Sequence, residues 1–364
     1  MRIKDLAAEI ESFAPLPLQE SYDNAGLLIG NPEKEITKGL ITLDITEEVF
    51  QEALDEKADI IIAHHPLIFK GLKSLTGKTQ VERIVIRAIQ HDIAIYAAHT
   101  NIDNVPEGVN NKIAGKLGLA GLKILKPAGD ILRKLVVFCP TDAAGQVREA
   151  MFSAGAGHIG NYDSCSFNLA GKGSFRAGEG ADPYVGEVNK LHFEEEVRIE
   201  SIYPVYLEAK ILREMISAHP YEEVAYDIYP LGNTYEGAGS GMIGDLPASV
   251  PTGDFLQKLK DVFQTGCIRH TKPLSESVKK IAICGGAGSF LIEDAIRAGA
   301  DVFVTGDIKY HDFFRADDKI LIADIGHYES EQFTKELIFT ILEQKFTNFA
   351  PQISKVNTNP VKYL

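Results

Sequence analysis

His64 and His65 stand side by side at the end of an apolar, β-branched run, residues 58–63, and Pro66 follows them at once. Such a run reads as a buried strand of a parallel sheet, and the proline marks the turn at its carboxyl end. Open α/β sheets take their ligands outside the carboxyl ends of strands, so two imidazoles can reach over the rim there. Two further segments offer matching chemistry. His99-Thr100-Asn101-Ile102-Asp103 follows the apolar run 93–98, and His327-Tyr328-Glu329-Ser330-Glu331 follows the run 319–324. If a helix opens near Tyr328, His327 and Glu331 are four residues apart and share one face. Imidazoles mixed with carboxylates suit Zn, Mn or Fe, and the lack of cysteine in these segments argues against a closed structural zinc site. Adjacent histidines with carboxylates able to bridge fit a pair of ions, which two-metal sites hold about 3.5–4 Å apart.

Other residues on the same rim are weaker candidates. His311, in Gly306-Asp307-Ile308-Lys309-Tyr310-His311-Asp312, reads as a general acid/base or as a donor behind the ligands. His99 reads the same way, because Asp103 already serves its loop. Asp23 and Asp44 are turn or strand-end carboxylates that can approach the site. Gly285-Gly286-Ala287-Gly288-Ser289 follows a strand and is expected to open a helix, where it would be either a phosphate cradle or a tight turn. It has neither the GxGxxG spacing nor the lysine of a P-loop.

The elements that must hold these residues are legible as alternating strands and helices. Strands are expected at 39–44, 58–63 and 93–98, with helices at 3–13, 47–57 (capped by Thr46), 81–90 and 110–117, the last stopped by Gly118. That order implies an α/β fold with a parallel sheet and crossover helices. It returns as strands at 280–284, 301–305 and 319–324, followed by a helix from Glu331 to about Lys345. Between them lie a strand at 134–138, a helix at 143–154, a glycine- and aromatic-rich stretch at 161–202, a helix at 205–217 and a strand at 225–229. Strand–helix–hairpin–helix–strand is the ferredoxin-like α+β order. An inserted domain at 130–235 is therefore expected to split the metal-binding α/β domain into 1–129 and 236–364. The tail from Phe349 has no periodicity and is expected to cross the surface.

Composition narrows the partners. With 45% hydrophobic and 24% charged residues the chain is an ordinary globular protein. A net charge of -14 argues against general attraction to nucleic acid or anionic lipid. No run approaches membrane-spanning length, and the N-terminus lacks an apolar signal core. Cys139, Cys165, Cys267 and Cys284 form no CxxC pair, which points to free thiols in a reducing cytoplasm.

Taken as a set, Ser21-Tyr22-Asp23-Asn24-Ala25-Gly26-Leu27, His64-His65-Pro66, the segments 99–103 and 306–311, and Gly326-His327-Tyr328-Glu329-Ser330-Glu331 resemble the Nif-three-like family. Its bacterial members are labelled GTP cyclohydrolase 1 type 2 homologs. His219-Pro220-Tyr221-Glu222-Glu223-Val224-Ala225-Tyr226-Asp227 is similar to the signature of the longer members, whose inserted domain is like the PII and CutA proteins. The resemblance implies two divalent ions per subunit, zinc first and manganese or iron as alternatives. It implies His64, His65, Asp103, His327 and Glu331 as their ligands, with Glu331 bridging. It also implies a toroidal homohexamer with its sites facing an internal cavity. The implied reaction is hydrolytic: a metal-bound hydroxide attacks guanine C8 of GTP or a related nucleotide, and His311 or His99 moves protons. Formate leaves and dihydroneopterin triphosphate forms. Two other readings stay open. One is a regulatory or scaffold hexamer with structural metal and a ligand-sensing inserted domain. The other is a nucleic-acid-binding ring, which the acidic charge disfavours.

Overall fold

The strand ahead of the histidine pair, Ile60–Ala63, is buried along its whole length and runs parallel to both neighbours, Lys38–Thr42 and Ala94–Ala97. The computed structural model describes residues 1–364. Gly26–Ile29 adds an antiparallel edge beside Ala94–Ala97, and Ala350–Ile353 a parallel edge beside Lys38–Thr42. Two helices between these strands begin on threonine caps. Thr46 accepts from the Val49 amide at the start of Glu47–Asp55, and Thr79 accepts from the Glu82 amide at the start of Gln80–Gln90. Their apolar faces bury Val49, Phe50, Ile84 and Val85 with Ile61 and Ile95 of the sheet. Each such side chain contributes about 1.5–3 kcal/mol when fully buried. That packing fixes the strand ends from which His64 and His65 emerge.

A second sheet runs Arg269–His270, Leu321–Asp324, Val302–Gly306, Ser277–Ala287, Tyr235–Pro251, Ala120–Ala128. Its central strands, Ser277–Ala287, Val302–Gly306 and Leu321–Asp324, are parallel. Gly285, Gly286 and Ala287 continue the strand Ser277–Ala287 rather than forming a turn; only Gly288 separates that strand from the 3-10 helix Ser289–Leu291, which leads into the α-helix Ile292–Arg297. The amides that would cradle a phosphate are already donated: Gly285 to Asn110 Oδ1, Gly286 to Ser330 Oγ and Gly288 to Thr305 Oγ1. The expected helix from Glu331 to Lys345 is two pieces, His327–Glu331 and Thr334–Lys345.

These two sheets belong to one compact unit, residues 1–127 with 237–364; residues 128–236 form the other. The second unit follows the order strand Leu132–Pro140, helix Ala144–Ala154, strands Phe167–Arg176 and Leu191–Pro204, helix Glu208–Ala218, strand Tyr226–Pro230. Its antiparallel sheet is ordered Phe167–Arg176, Leu191–Pro204, Leu132–Pro140, Tyr226–Pro230. Val147, Met151, Ile211 and Met215 of the helices pack on Leu135, Val137 and Ile199. His219 is a structural clasp here: its Nε2 donates to the Phe138 carbonyl and its Nδ1 accepts from the Tyr221 amide. No helix of the chain is long and apolar enough to cross a membrane.

Candidate metal centre

Each of four imidazoles has its Nδ1 tied to a fixed oxygen. His64 Nδ1 donates to the Ala98 carbonyl at 2.8 Å, and His65 Nδ1 to Asp44 at 2.7 Å. His99 Nδ1 donates to Asp23 at 2.7 Å, and His327 Nδ1 to Asp307 at 2.8 Å. Orienting an imidazole through one nitrogen leaves the other for a metal, the usual arrangement of ligating histidines. Local structure prepares these partners. Asp307 adopts a left-handed backbone at φ 55°, just after the strand Val302–Gly306, where the Ile308 amide is held by buried Asp324. Asp23 also takes the Thr100 amide and hydroxyl, which opens the short helix Thr100–Asp103.

The Nε2 atoms of His64, His65 and His327 converge on Glu331. His65 Nε2 and His327 Nε2 are 3.2 Å apart, and each lies 3.0 Å from Glu331 Oε2. Ligands at about 2.0–2.1 Å in a tetrahedral zinc site lie about 3.3 Å from one another, so this triangle has the size an ion needs. The other Glu331 oxygen, Oε1, faces a second group: His64 Nε2 stands 3.7 Å from it and 3.8 Å from Asp103 Oδ1. His64 Nε2 and Asp103 Oδ1 are buried and have no hydrogen-bond partner. Buried polar atoms are ordinarily bonded, so two orphans facing each other mark a place for a ligand. His64, His65 and His99 form a third grouping with metal-ligand spacing. His99, expected behind the ligands, is thus as close to the centre as they are.

Electrostatics show the shortage of positive charge. Burial pulls the His65 imidazole down, but hydrogen bonds to Asp44 and Glu331 outweigh it and raise its pKa to about 9. Burial likewise opposes His327, and Asp307 with Glu331 carries it to about 11. Burial and then the Glu331 charge raise Asp103 to about 8. Glu331 itself is held well below the carboxylate range despite its burial, by the surrounding imidazoles. Protons hold together a set of anions that a cation would serve better.

The glycine-rich strand end has a steric reason. A Cβ on Gly286, which sits at φ +63°, would overlap Glu331 Oε1, and one on Gly306 would meet the His327 amide nitrogen at 2.8 Å. Gly286→Ala is expected to cost about 1–3 kcal/mol through its backbone alone and to displace the Glu331 carboxylate. Chemical denaturation and metal content check the two effects.

The five residues expected as ligands, His64, His65, Asp103, His327 and Glu331, thus come together, and His99 lies beside them. His311 does not join them. It is exposed on the 3-10 helix Tyr310–Ala316 beside Tyr310 and Phe314, outside the cavity lining. A cavity of about 990 Å³ opens over the centre, lined by His65, His99, Asp103, His327 and Glu331 together with Tyr22 and Phe69. Asp307, to which the sequence reading assigned no role at the site, orients His327.

A family model described as Duf34/NIF3 (NGG1p interacting factor 3) matches residues 1–360. A GTP cyclohydrolase 1 type 2 homolog of Halalkalibacterium halodurans is 42% identical, over 97% of this chain and 96% of the relative. One of Bacillus subtilis is 40% identical over 97% and 96%. Among solved structures, a Bacillus cereus protein related to NIF3 superposes with a TM-score of 0.83 at 39% identity, covering 100% of this chain and 99% of that one.

Proposed function

The chain belongs to the Duf34/NIF3 family, and from that premise we propose that it is a metal-dependent hydrolase using two divalent ions, zinc first among them, on the guanine ring of GTP or a related nucleotide. The observation that carries this reading is the inward convergence of Nε2 atoms whose Nδ1 partners are already fixed, around a carboxylate that faces both groups. His64 and Asp103 would hold one ion, His65 and His327 the other, and Glu331 one oxygen to each. Ions bound there supply Lewis-acid polarisation and bring the pKa of water toward neutrality.

The chain's own residues do the rest. Tyr22 and Phe69, with ring centroids 6.2 Å apart, stand exposed on the cavity wall beside His99 and offer an apolar face to a planar base. His99, backed by the Asp23 carboxylate, is placed to hold and return a proton. Within one chain that role falls to His99 rather than His311. We read residues 130–235 as an inserted ferredoxin-like domain and the working assembly as a cytoplasmic, toroidal homohexamer.

Metal analysis of freshly purified protein, followed by a nucleotide hydrolysis screen with that metal restored, tests the reading. His65→Ala is expected to lower turnover at least about 100-fold, the scale of losing a catalytic group's support. Full turnover in that variant would remove the two-ion mechanism.

A further inference from the structure

The last ten residues before Leu364 are not a loose crossing of the surface. Beyond the edge strand Ala350–Ile353 the chain is pinned to Glu52, to Asp44 behind His65 and to Glu329 on the His327–Glu331 helix. Ser354 Oγ and the Lys355 amide bond the Glu52 carboxylate, and Val356 packs against the core of the first sheet. Thr358 Oγ1 donates to Asp44 Oδ2 at 2.6 Å, while Asp44 Oδ1 accepts from His65 Nδ1 at 2.7 Å. One residue on, Asn359 Nδ2 donates to Glu329 Oε1 at 3.0 Å. Glu329 is buried on the short helix that carries His327 and Glu331. Asn359, Val361 and Tyr363 then line the cavity itself.

We propose that residues 354–363 form a strap that positions the metal-binding imidazole of His65 through Thr358 and Asp44, an inference that rests on the metal reading above. A carboxylate with one oxygen free can swing about its terminal torsion. The Thr358 hydroxyl occupies that second oxygen and fixes the plane in which Asp44 receives the imidazole. Thr358 is a positioning residue: it reaches His65 only through Asp44. Partners of this kind typically govern metal affinity by about 10–100-fold.

The test is zinc binding to the full chain, measured by competition with a chromophoric chelator. Thr358→Val is expected to weaken one of the two ions by about 10–100-fold, with the thermal midpoint of the metal-free protein near that of the wild type. Thr358→Ser keeps the hydroxyl and is expected to restore the wild-type affinity. In an Asp44→Ala background, Thr358→Val should cost nothing further, because the relay is already cut. Equal affinity in wild type and Thr358→Val, failure of the serine variant to rescue, or additive losses in the double variant would each overturn the strap. A wild-type chain that takes up no zinc would instead overturn the metal reading, and the strap with it.

Discussion

Replacing Glu331 by glutamine is expected to empty both halves of the centre together. Glu331 sends Oε2 to His65 and His327 and Oε1 toward His64, and it is buried on a turn of helix for which Gly286 leaves room. An amide keeps the volume and loses the charge, and its NH2 group presents hydrogens to atoms that must offer lone pairs. Affinity for zinc should fall by at least about 100-fold, the upper end of what the loss of even an outer partner costs. Both ions should go, whereas a change at Asp103 or His327 should loosen one more than the other. Glu331→Ala should in addition destabilise the metal-free fold by about 3–5 kcal/mol, since it strips the counter-charge from buried imidazolium groups. Titration of metal into each variant, beside chemical denaturation, reads the two effects separately. Normal zinc content in Glu331→Gln would end the claim that this carboxylate serves both groups.

Loading the metal-free protein at pH 7 is expected to release between two and three protons per chain. His65 at about 9, His327 at about 11 and Asp103 at about 8 all carry a proton there in the absence of metal. Ligation requires neutral imidazole and ionised carboxylate, so those protons must leave. Affinity should accordingly climb about tenfold per pH unit for each proton displaced, most steeply below about pH 8, where all three groups are protonated, and less steeply as Asp103 and then His65 lose their protons. The sign of the stability effect follows. All three groups are raised above their unfolded values, so the stability they lend the metal-free fold is complete below those values and is lost as pH rises through the folded ones. Metal-free protein should therefore weaken toward pH 9, while the loaded form does not. At metal about 1,000-fold above its dissociation constant the gap is worth about 4 kcal/mol, and chelation should lower the thermal midpoint more at pH 9 than at pH 6.5. Loading without proton release in weakly buffered solution would show that these three groups are not the ones the metal displaces protons from.

The segments that meet at the centre were visible in the sequence because parallel strands end in a recognisable way. Short apolar runs stopped at His64, at His99 and just before His327, and the fold brings those ends to one rim. The orienting carboxylates were harder to see. Asp23, Asp44 and Asp307 each meet an imidazole at least 20 positions away in the chain, and an aspartate in a turn has many local uses. Glycine misled in two places. Gly285 and Gly286 looked like a turn but are strand residues kept bare for Glu331, and Gly237, Gly239, Gly241 and Gly244 hid the long strand Tyr235–Pro251. The edge strand Ala350–Ile353 and the strap behind it carry no periodic signal. Pro351 sits on a sheet edge, where a missing amide is tolerated, and the strap is held by side-chain hydrogen bonds that composition cannot announce.

The most direct measurement is the zinc stoichiometry of the wild-type chain, taken on protein stripped of metal and then titrated. Two tight equivalents per chain are expected, falling to none in Glu331→Gln. A wild-type chain saturating at one equivalent or none, with all five proposed ligands unaltered, would rule out a two-ion centre.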